Sequence, residues 1–322
     1  MPKNGFSTNG LFVAFFLIIT LFAYPTLAIE VDFWIEEQVE LDGYYAEQGV
    51  DYQGGYFYTS NTALVLGSIS VFDQNWELLQ TYDDFDEHIG DITVVGDELV
   101  APLCSSSDQC VIRRYQLDNG LISGITLDHD ISDLGFEIAG MDYDDNIYYG
   151  VEYSENGTAF IVQFSETFEY DAQYEITSLY ANGIEIASFD SISERYVFIS
   201  RGDIGVNAYV DIYRLYDLQE SELNEPIYTF EYPTNIPLPF HAEGLTIDEN
   251  QIWLAQGNII YLGFIDINEE EDIDIGGDDS ADDSGGIGCF IATVSTTSSS
   301  TNANLPTQSA DLHPHQRPAK NI

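Results

Sequence analysis

From Val31 to Ile267 the chain alternates short apolar runs with clusters of Asp, Asn, Gly and Ser, and no stretch carries the period of an amphipathic helix. Val, Ile, Tyr and Phe are frequent in the runs, and their branched or planar side chains suit a pleated, half-buried surface. The pattern predicts strands throughout. It also repeats. Gly49-Val-Asp-Tyr-Gln-Gly-Gly-Tyr-Phe-Tyr-Thr-Ser60 sets a glycine before a short strand, then a turn, then an aromatic-rich strand. The same order returns at Gly90–Ala101, Gly140–Tyr149 and Gly244–Ala255, and more loosely at Gly183–Phe198. The opening glycines lie 41, 50, 43 and 61 residues apart, the spacing of four-stranded sheets repeated around an axis with loops of variable length. The expected fold is an all-β propeller.

Five blades fit this rhythm. Blades one to four each supply four strands, within 49–82, 91–127, 141–176 and 184–232, with Asp91–Val95 read as the inner strand of blade two. Blade five supplies three strands between Leu245 and Ile265 before the chain turns acidic. Residues 31–41 alternate well enough to provide its outer strand, and closing the ring that way removes an open sheet edge. Six blades remain the alternative, because the 183–244 interval has room for one more. In a propeller the strand after each glycine lines the central channel, and the connections entering it share one mouth with the loops between second and third strands. This general geometry gathers Glu47, Gln48, His88, Asp91, Glu137, Asn182, His241 and Glu243 there as ligand candidates.

The two ends read differently. Residues 1–28 have the form of a secretory signal peptide: Lys3, an apolar stretch from Leu11 to Phe22, and small residues at Thr26 and Ala28. A retained anchor is the alternative; after cleavage no transmembrane segment is expected. Residues 29–267 form the propeller domain. Residues 268–288 are an acidic Gly/Ser-rich linker that cannot bury a core, followed by a short segment at 289–294 and a polar tail at 295–322. The expected location is exported: periplasmic, cell-surface or extracellular.

Charge narrows the partners. There are 56 acidic residues against 8 basic ones, a net charge of −48. Between residues 29 and 267 the only cations are Arg113, Arg114, Arg195, Arg201 and Arg214, and lysine is absent. Such a surface repels phosphate backbones, so nucleic acid is excluded as a partner. Two explanations of the acidity stand: solubility in a salty medium, or neutralisation by divalent cations such as Ca²⁺. Cys104 and Cys110 flank a predicted hairpin tip, and in an exported protein that spacing predicts a local disulfide.

Gly288-Cys-Phe-Ile-Ala-Thr293, after its Gly-rich spacer, resembles the C-terminal CFI-box of exported bacterial proteins. The resemblance implies surface sorting or attachment through Cys289. The sequence departs from that pattern after Thr293, so a degenerate or frame-shifted terminus and an ordinary tail with one free thiol are both open readings.

The candidate chemistry is sparse. His88 and His241 precede inner strands at nearly matching places, and with Glu47, Glu137, Asn182 and Glu243 they suit a cation or small polar ligand. The competing reading is that polar groups at such positions bond the backbone of the next blade. Glu243-Gly244, the following strand and Trp253, with the recurring Gly-hydrophobic-Asp/Thr rhythm, resemble calcium-dependent lactonase and regucalcin-like propellers. That resemblance implies a metal-dependent hydrolase with Glu243 as a metal ligand. The family has six blades, and its asparagine and aspartate ligands have no secure counterparts here. No Gly-x-Ser-x-Gly elbow, phosphate-cradling loop, His-Glu-x-x-His or zinc spacing is present. Asp142-Tyr-Asp-Asp-Asn146 lacks the glycine and distal glutamate of a calcium loop and reads as a turn. The first expectation is therefore a secreted or surface-associated binding module for a protein or small-molecule ligand; the second is the hydrolase.

Overall fold

The computed structural model describes residues 29–41, 48–62, 67–85, 88–104, 109–155, 158–189, 194–202, 208–218, 223–232 and 243–269. The chain begins with β1 (Ile29–Glu40) and then builds five sheets in sequence order. Blade one is β2 (Gly49–Gln53), β3 (Tyr56–Asn61), β4 (Gly67–Asp73) and β5 (Leu78–Phe85). In blade two the inner strand is split into β6 (His88–Ile89) and β7 (Thr93–Val95), both paired with β8 (Glu98–Cys104) and followed by β9 (Cys110–Asp118) and β10 (Leu121–Asp130). Blade three is β11 (Ile138–Asp144), β12 (Ile147–Glu152), β13 (Ala159–Ser165) and β14 (Tyr170–Ile176). Blade four is β15 (Ala181–Ser188), β16 (Arg195–Arg201), β17 (Ala208–Arg214) and β18 (Tyr228–Tyr232), with a one-turn helix, Leu215–Leu218, before β18. Blade five is β19 (Leu245–Asp248), β20 (Gln251–Gln256) and β21 (Ile259–Glu269), with β1 outside them. This is a five-bladed β-propeller.

β1 pairs antiparallel with β21 from Ile29↔Glu269 to Glu40↔Ile259, so the amino end closes the last blade as the alternation in residues 31–41 predicts. No sixth blade occurs among the described residues. The expected single inner strand Asp91–Val95 is corrected to two pieces, because Asp91 leaves the ladder and turns inward between them.

Each blade buries both faces, and period-two alternation divides its side chains between two neighbours. On β12, Tyr149 and Val151 enter the core shared with blade four, while Tyr148 enters the core shared with blade two. On β20, Ile252 and Leu254 face blade four, and Trp253 and Ala255 face blade one. Five such clusters, one at each blade junction, make up the hydrophobic core. Each fully buried Ile, Leu or Val contributes about 1.5–3 kcal/mol by area removed from water. Doubly buried strands read as near-continuous apolar runs, while the outer strands keep one polar face. The turn after β11 takes Asp145 and Asn146 at φ 50° and 68°, a left-handed pair that matches the twist of the hairpin.

Scarce cations stitch the junctions. The Arg195 guanidinium of blade four meets Asp144 of blade three at 2.6 Å. Arg114 of blade two lies 4.4 Å over the Phe168 ring of blade three.

Candidate functional site

Register fixes which residues share the mouth. Gln48 donates its backbone N–H to Ser60 at 3.0 Å, His88 pairs with Cys104, Tyr153 donates to Glu137 at 3.1 Å, Ala181 pairs with Arg201, and Glu243 donates to Ala255 at 3.2 Å. The start of every inner strand therefore lies beside the loop between second and third strands. Gln48, His88, Glu137, Asn182 and Glu243 sit on this one face. Glu47, His241 and Cys289 lie outside the described residues, as do the expected signal peptide, the expected linker from residue 270 onward and the expected C-terminal box; Asn268 and Glu269, expected in the linker, instead end β21 and pair with β1.

The mouth bridges blades. His88 Nδ1 lies 2.8 Å from Glu137 Oε1, joining blades two and three, and the side chains are 40% and 37% exposed. Beside His88, Cys104 and Cys110 form the expected disulfide, which ties the ends of β8 and β9 directly across the hairpin. Asn182 and Glu243 are buried. The backbone carbonyl of Glu243 accepts the Ser200 hydroxyl of blade four, and its carboxylate helps to hold the buried Tyr232 phenol well above its ordinary pKa, after burial itself. Arg201, opposite Ala181, reaches this face too. Its guanidinium bonds both oxygens of buried Asp211 and lies 4.7 Å over the Tyr209 ring. Ser178 and Thr229 hydroxyls complete the Asp211 carboxylate at 2.5 and 2.6 Å. Sequence reasoning missed this cluster, since only the fold brings Asp211 under Arg201.

Asp91 does not stand at the mouth with the other candidates. It drops below them onto the axis, where its carboxylate accepts backbone N–H groups of Val50 at 3.1 Å, Ile92 at 3.0 Å and Leu245 at 3.4 Å. The opening glycines of blades one, four and five close around that carboxylate, and a Cβ at Gly49, Gly183 or Gly244 would collide with it. A Cβ at Gly140 would come within 2.9 Å of the Asp91 Cβ and 2.8 Å of the Asn182 carbonyl. The recurring glycine is thus an axial requirement for space.

One level deeper lies a second ring: Asp51, Thr93, Asp142, Glu185 and Thr246, one from each blade. Each follows its opening glycine by two residues, except Thr93, which follows by three because Asp91 is the extra residue of blade two. Asp51 accepts from the Val94 backbone and, at 3.0 Å, from the Thr246 hydroxyl. Asp142 accepts from Thr93 at 3.2 Å and from the Ile186 backbone at 2.6 Å, and Glu185 accepts from the Ile247 backbone at 3.3 Å. Each acid reaches forward to the next blade or is reached from the previous one, so the ring is a belt. Burial pushes Asp51 up to about 6 and Asp142 up to about 7, against the downward pull of their backbone donors. Burial, and then the neighbouring carboxylates, lift Glu185 well above the usual carboxylate range. The glycine-plus-two register was the sequence signal for this belt.

Comparison with known proteins supports the fold and goes no further. No protein-family model matches the chain, and no curated protein matches it. Among solved structures, the glutaminyl cyclase of Myxococcus xanthus superposes with a TM-score of 0.55 at 9% identity, covering 74% of this chain and 97% of that one. An exo-β-1,3-galactanase from Phanerochaete chrysosporium matches with a TM-score of 0.45 at 10% identity, covering 70% of this chain and 64% of that one. At such identities the likeness is one of fold alone.

Proposed function

We propose that this chain is an exported propeller that binds a small polar or peptide ligand at the mouth, through Gln48, His88, Glu137, Asn182 and Glu243, without reacting it. The observation that carries this reading is the closure of the axis by Asp91 beneath a rim where His88 and Glu137 remain two-fifths exposed. A ligand would meet a shallow polar rim set on rigid strands. The disulfide fits an exported protein, and no helix among the described residues is long and apolar enough to cross a membrane. Glu47 and His241 belong to the same proposed rim by their sequence positions, and Cys289 is the proposed point of attachment.

A metal-dependent lactonase or esterase is the second reading. What favours it is the His88–Glu137 contact, since a histidine held by a carboxylate has the arrangement of a general base. What weighs against it is that, among the described residues, no group of three or more His, Cys, Asp or Glu side chains is placed to hold a metal ion, Glu243 included. Ca²⁺ at Glu243 therefore rests on the family resemblance.

Thermal melts against a panel of sugars, short peptides and Ca²⁺ test the proposal, because a ligand specific for the native state raises the midpoint. One ligand class should raise the midpoint of the wild type and not of His88→Ala, and EDTA should leave the midpoint unchanged. Turnover of a lactone or aryl ester that disappears in His88→Ala would overturn it in favour of the hydrolase.

A further inference from the structure

Among the described residues, Arg201 is the only arginine at the mouth. Arg195 and Arg214 lie at the opposite ends of β16 and β17, and Arg113 and Arg114 lie within β9. Two edges of the Arg201 guanidinium have different fates. Its Nε–H and one Nη2–H go to Asp211, whose side chain is 2% exposed. A carboxylate offers about four lone-pair sites, and here all are taken: Ser178 and Arg201 on Oδ2, Thr229 and Arg201 on Oδ1. Tyr209, the cross-strand neighbour of Arg201, lays its ring 4.7 Å from the guanidinium carbon. The guanidinium cannot swing away without leaving a buried carboxylate short of donors, so its orientation is fixed.

The other edge is free to act. A guanidinium has five N–H donors, and the three not spent on Asp211 meet no acceptor among the described residues, while the side chain stays 29% exposed. The end formed by Nη1 and Nη2 is a planar fork of the kind that matches a carboxylate with two parallel hydrogen bonds. Aromatic surface stands beside it. Tyr180 donates its backbone N–H to the Ser154 carbonyl at 2.9 Å and accepts from the Gly202 N–H at 3.2 Å, which clamps it next to Arg201 at φ 56°. A left-handed backbone is unusual for so bulky a residue. Tyr153 meets Tyr180 edge-on with ring centroids 6.4 Å apart, and both are half-buried.

We propose that the mouth ligand carries a carboxylate beside a ring, with Arg201 taking the carboxylate end-on through Nη1 and Nη2 and with Tyr153 and Tyr180 offering the ring a surface. This inference rests on the mouth being the ligand-binding face. Charge selects among the anions that a guanidinium fork fits. The chain carries a net charge of −48 and Asp211 already balances Arg201, so each further negative charge on a ligand meets more repulsion. A singly charged carboxylate is therefore favoured over a doubly charged phosphate. A neutral amide gains only the weaker hydrogen bonds between uncharged and charged partners, without a second ionised group.

The test is NMR titration of the full chain with matched acid and neutral probes, in ~0.15 M salt, which shortens the Debye length to about 8 Å and damps the surface repulsion. One pair is N-acetyl-tyrosine and N-acetyl-tyrosinamide; the other is methyl glucuronoside and methyl glucoside. In at least one pair the acid should bind about ten-fold tighter than its neutral partner, and the pair that shows the preference tells whether the source is a peptide end or a sugar acid. Arg201→Lys keeps a charge for Asp211 but has no fork to spare, so the preference should fall to about one. No acid binding by the wild type up to about 10 mM overturns the proposal, as does a preference that survives in folded Arg201→Lys. If Arg201→Lys fails to fold, Arg201→Met with Asp211→Asn, which removes both charges and keeps an acceptor for Ser178 and Thr229, is read by the same criterion. Failure here is distinct from failure of the mouth as a binding face: neutral probes that bind the wild type and not His88→Ala, with no acid preference, would leave the rim standing and sink the Arg201 subsite.

Discussion

The mouth and the axial belt lie a few residues apart along the inner edges of the same five blades, yet they use polar residues in opposite ways. At the mouth, His88 and Glu137 meet each other while staying partly in water, so the pair costs little to form and little to lose. On the axis, Asp91, Asp51 and Asp142 are out of water and bonded to backbone donors from other blades. There a lost oxygen leaves buried N–H groups unpaired, which is expensive. The contrast teaches that a polar residue beside a conspicuous glycine is not thereby a ligand. Its depth along the inner strand decides whether it is free to bind or serves to hold the ring.

That contrast can be broken in graded steps. The largest effect is expected from Gly244→Val, which forces a branched side chain into the Asp91 carboxylate and the Gly49 backbone. It should cost 3 kcal/mol or more on the scale of about 1–3 kcal/mol for ordinary overpacking, or abolish folding. Circular dichroism and urea unfolding would show it, and a wild-type midpoint would refute the axial role of the glycines.

Asp91→Ala should come next. It strips the acceptor from the Val50, Ile92 and Leu245 backbone groups, at about 1–3 kcal/mol for each N–H left unsatisfied and less wherever a water enters. Denaturant unfolding near pH 7 measures the loss; a change under about 0.5 kcal/mol would show that the backbone donors are satisfied in another way.

Cys104→Ser with Cys110→Ser removes a short covalent loop at the mouth. The expected loss is about 2–2.5 kcal/mol, read from the urea midpoint with and without reductant on the wild type. The smallest effect is reserved for His88→Ala. Its exposed pair should change stability by less than about 1 kcal/mol, while ligand-induced stabilisation disappears. A large drop in stability would move His88 from the binding rim to the structural group and break the comparison at its other end.

Much of this was readable from spacing. The glycine rhythm marked the axis, and the alternation of residues 31–41 marked the closing strand. Cys104 and Cys110 announced their bond. Asp91 was misjudged as a rim residue because one inserted position in blade two shifts its register, and a one-residue shift turns a side chain toward a different surface. Asp211 carried no local mark at all; on β17 it is one more polar residue in an apolar run, until Arg201, Ser178 and Thr229 converge on it.

Order along the chain, by itself, determined that there would be strands, that they would come in fours, and that the ring would be zipped through its amino end. Those features depend on near-neighbour periodicity and on backbone pairing, which local residue types specify. The tertiary structure decided which polar residues face one another across blades and at what depth. Residues 51, 142, 185 and 246 stand far apart in sequence, and only closure of the ring brings them around a common axis, where loss of water raises the energy of every unpaired charge.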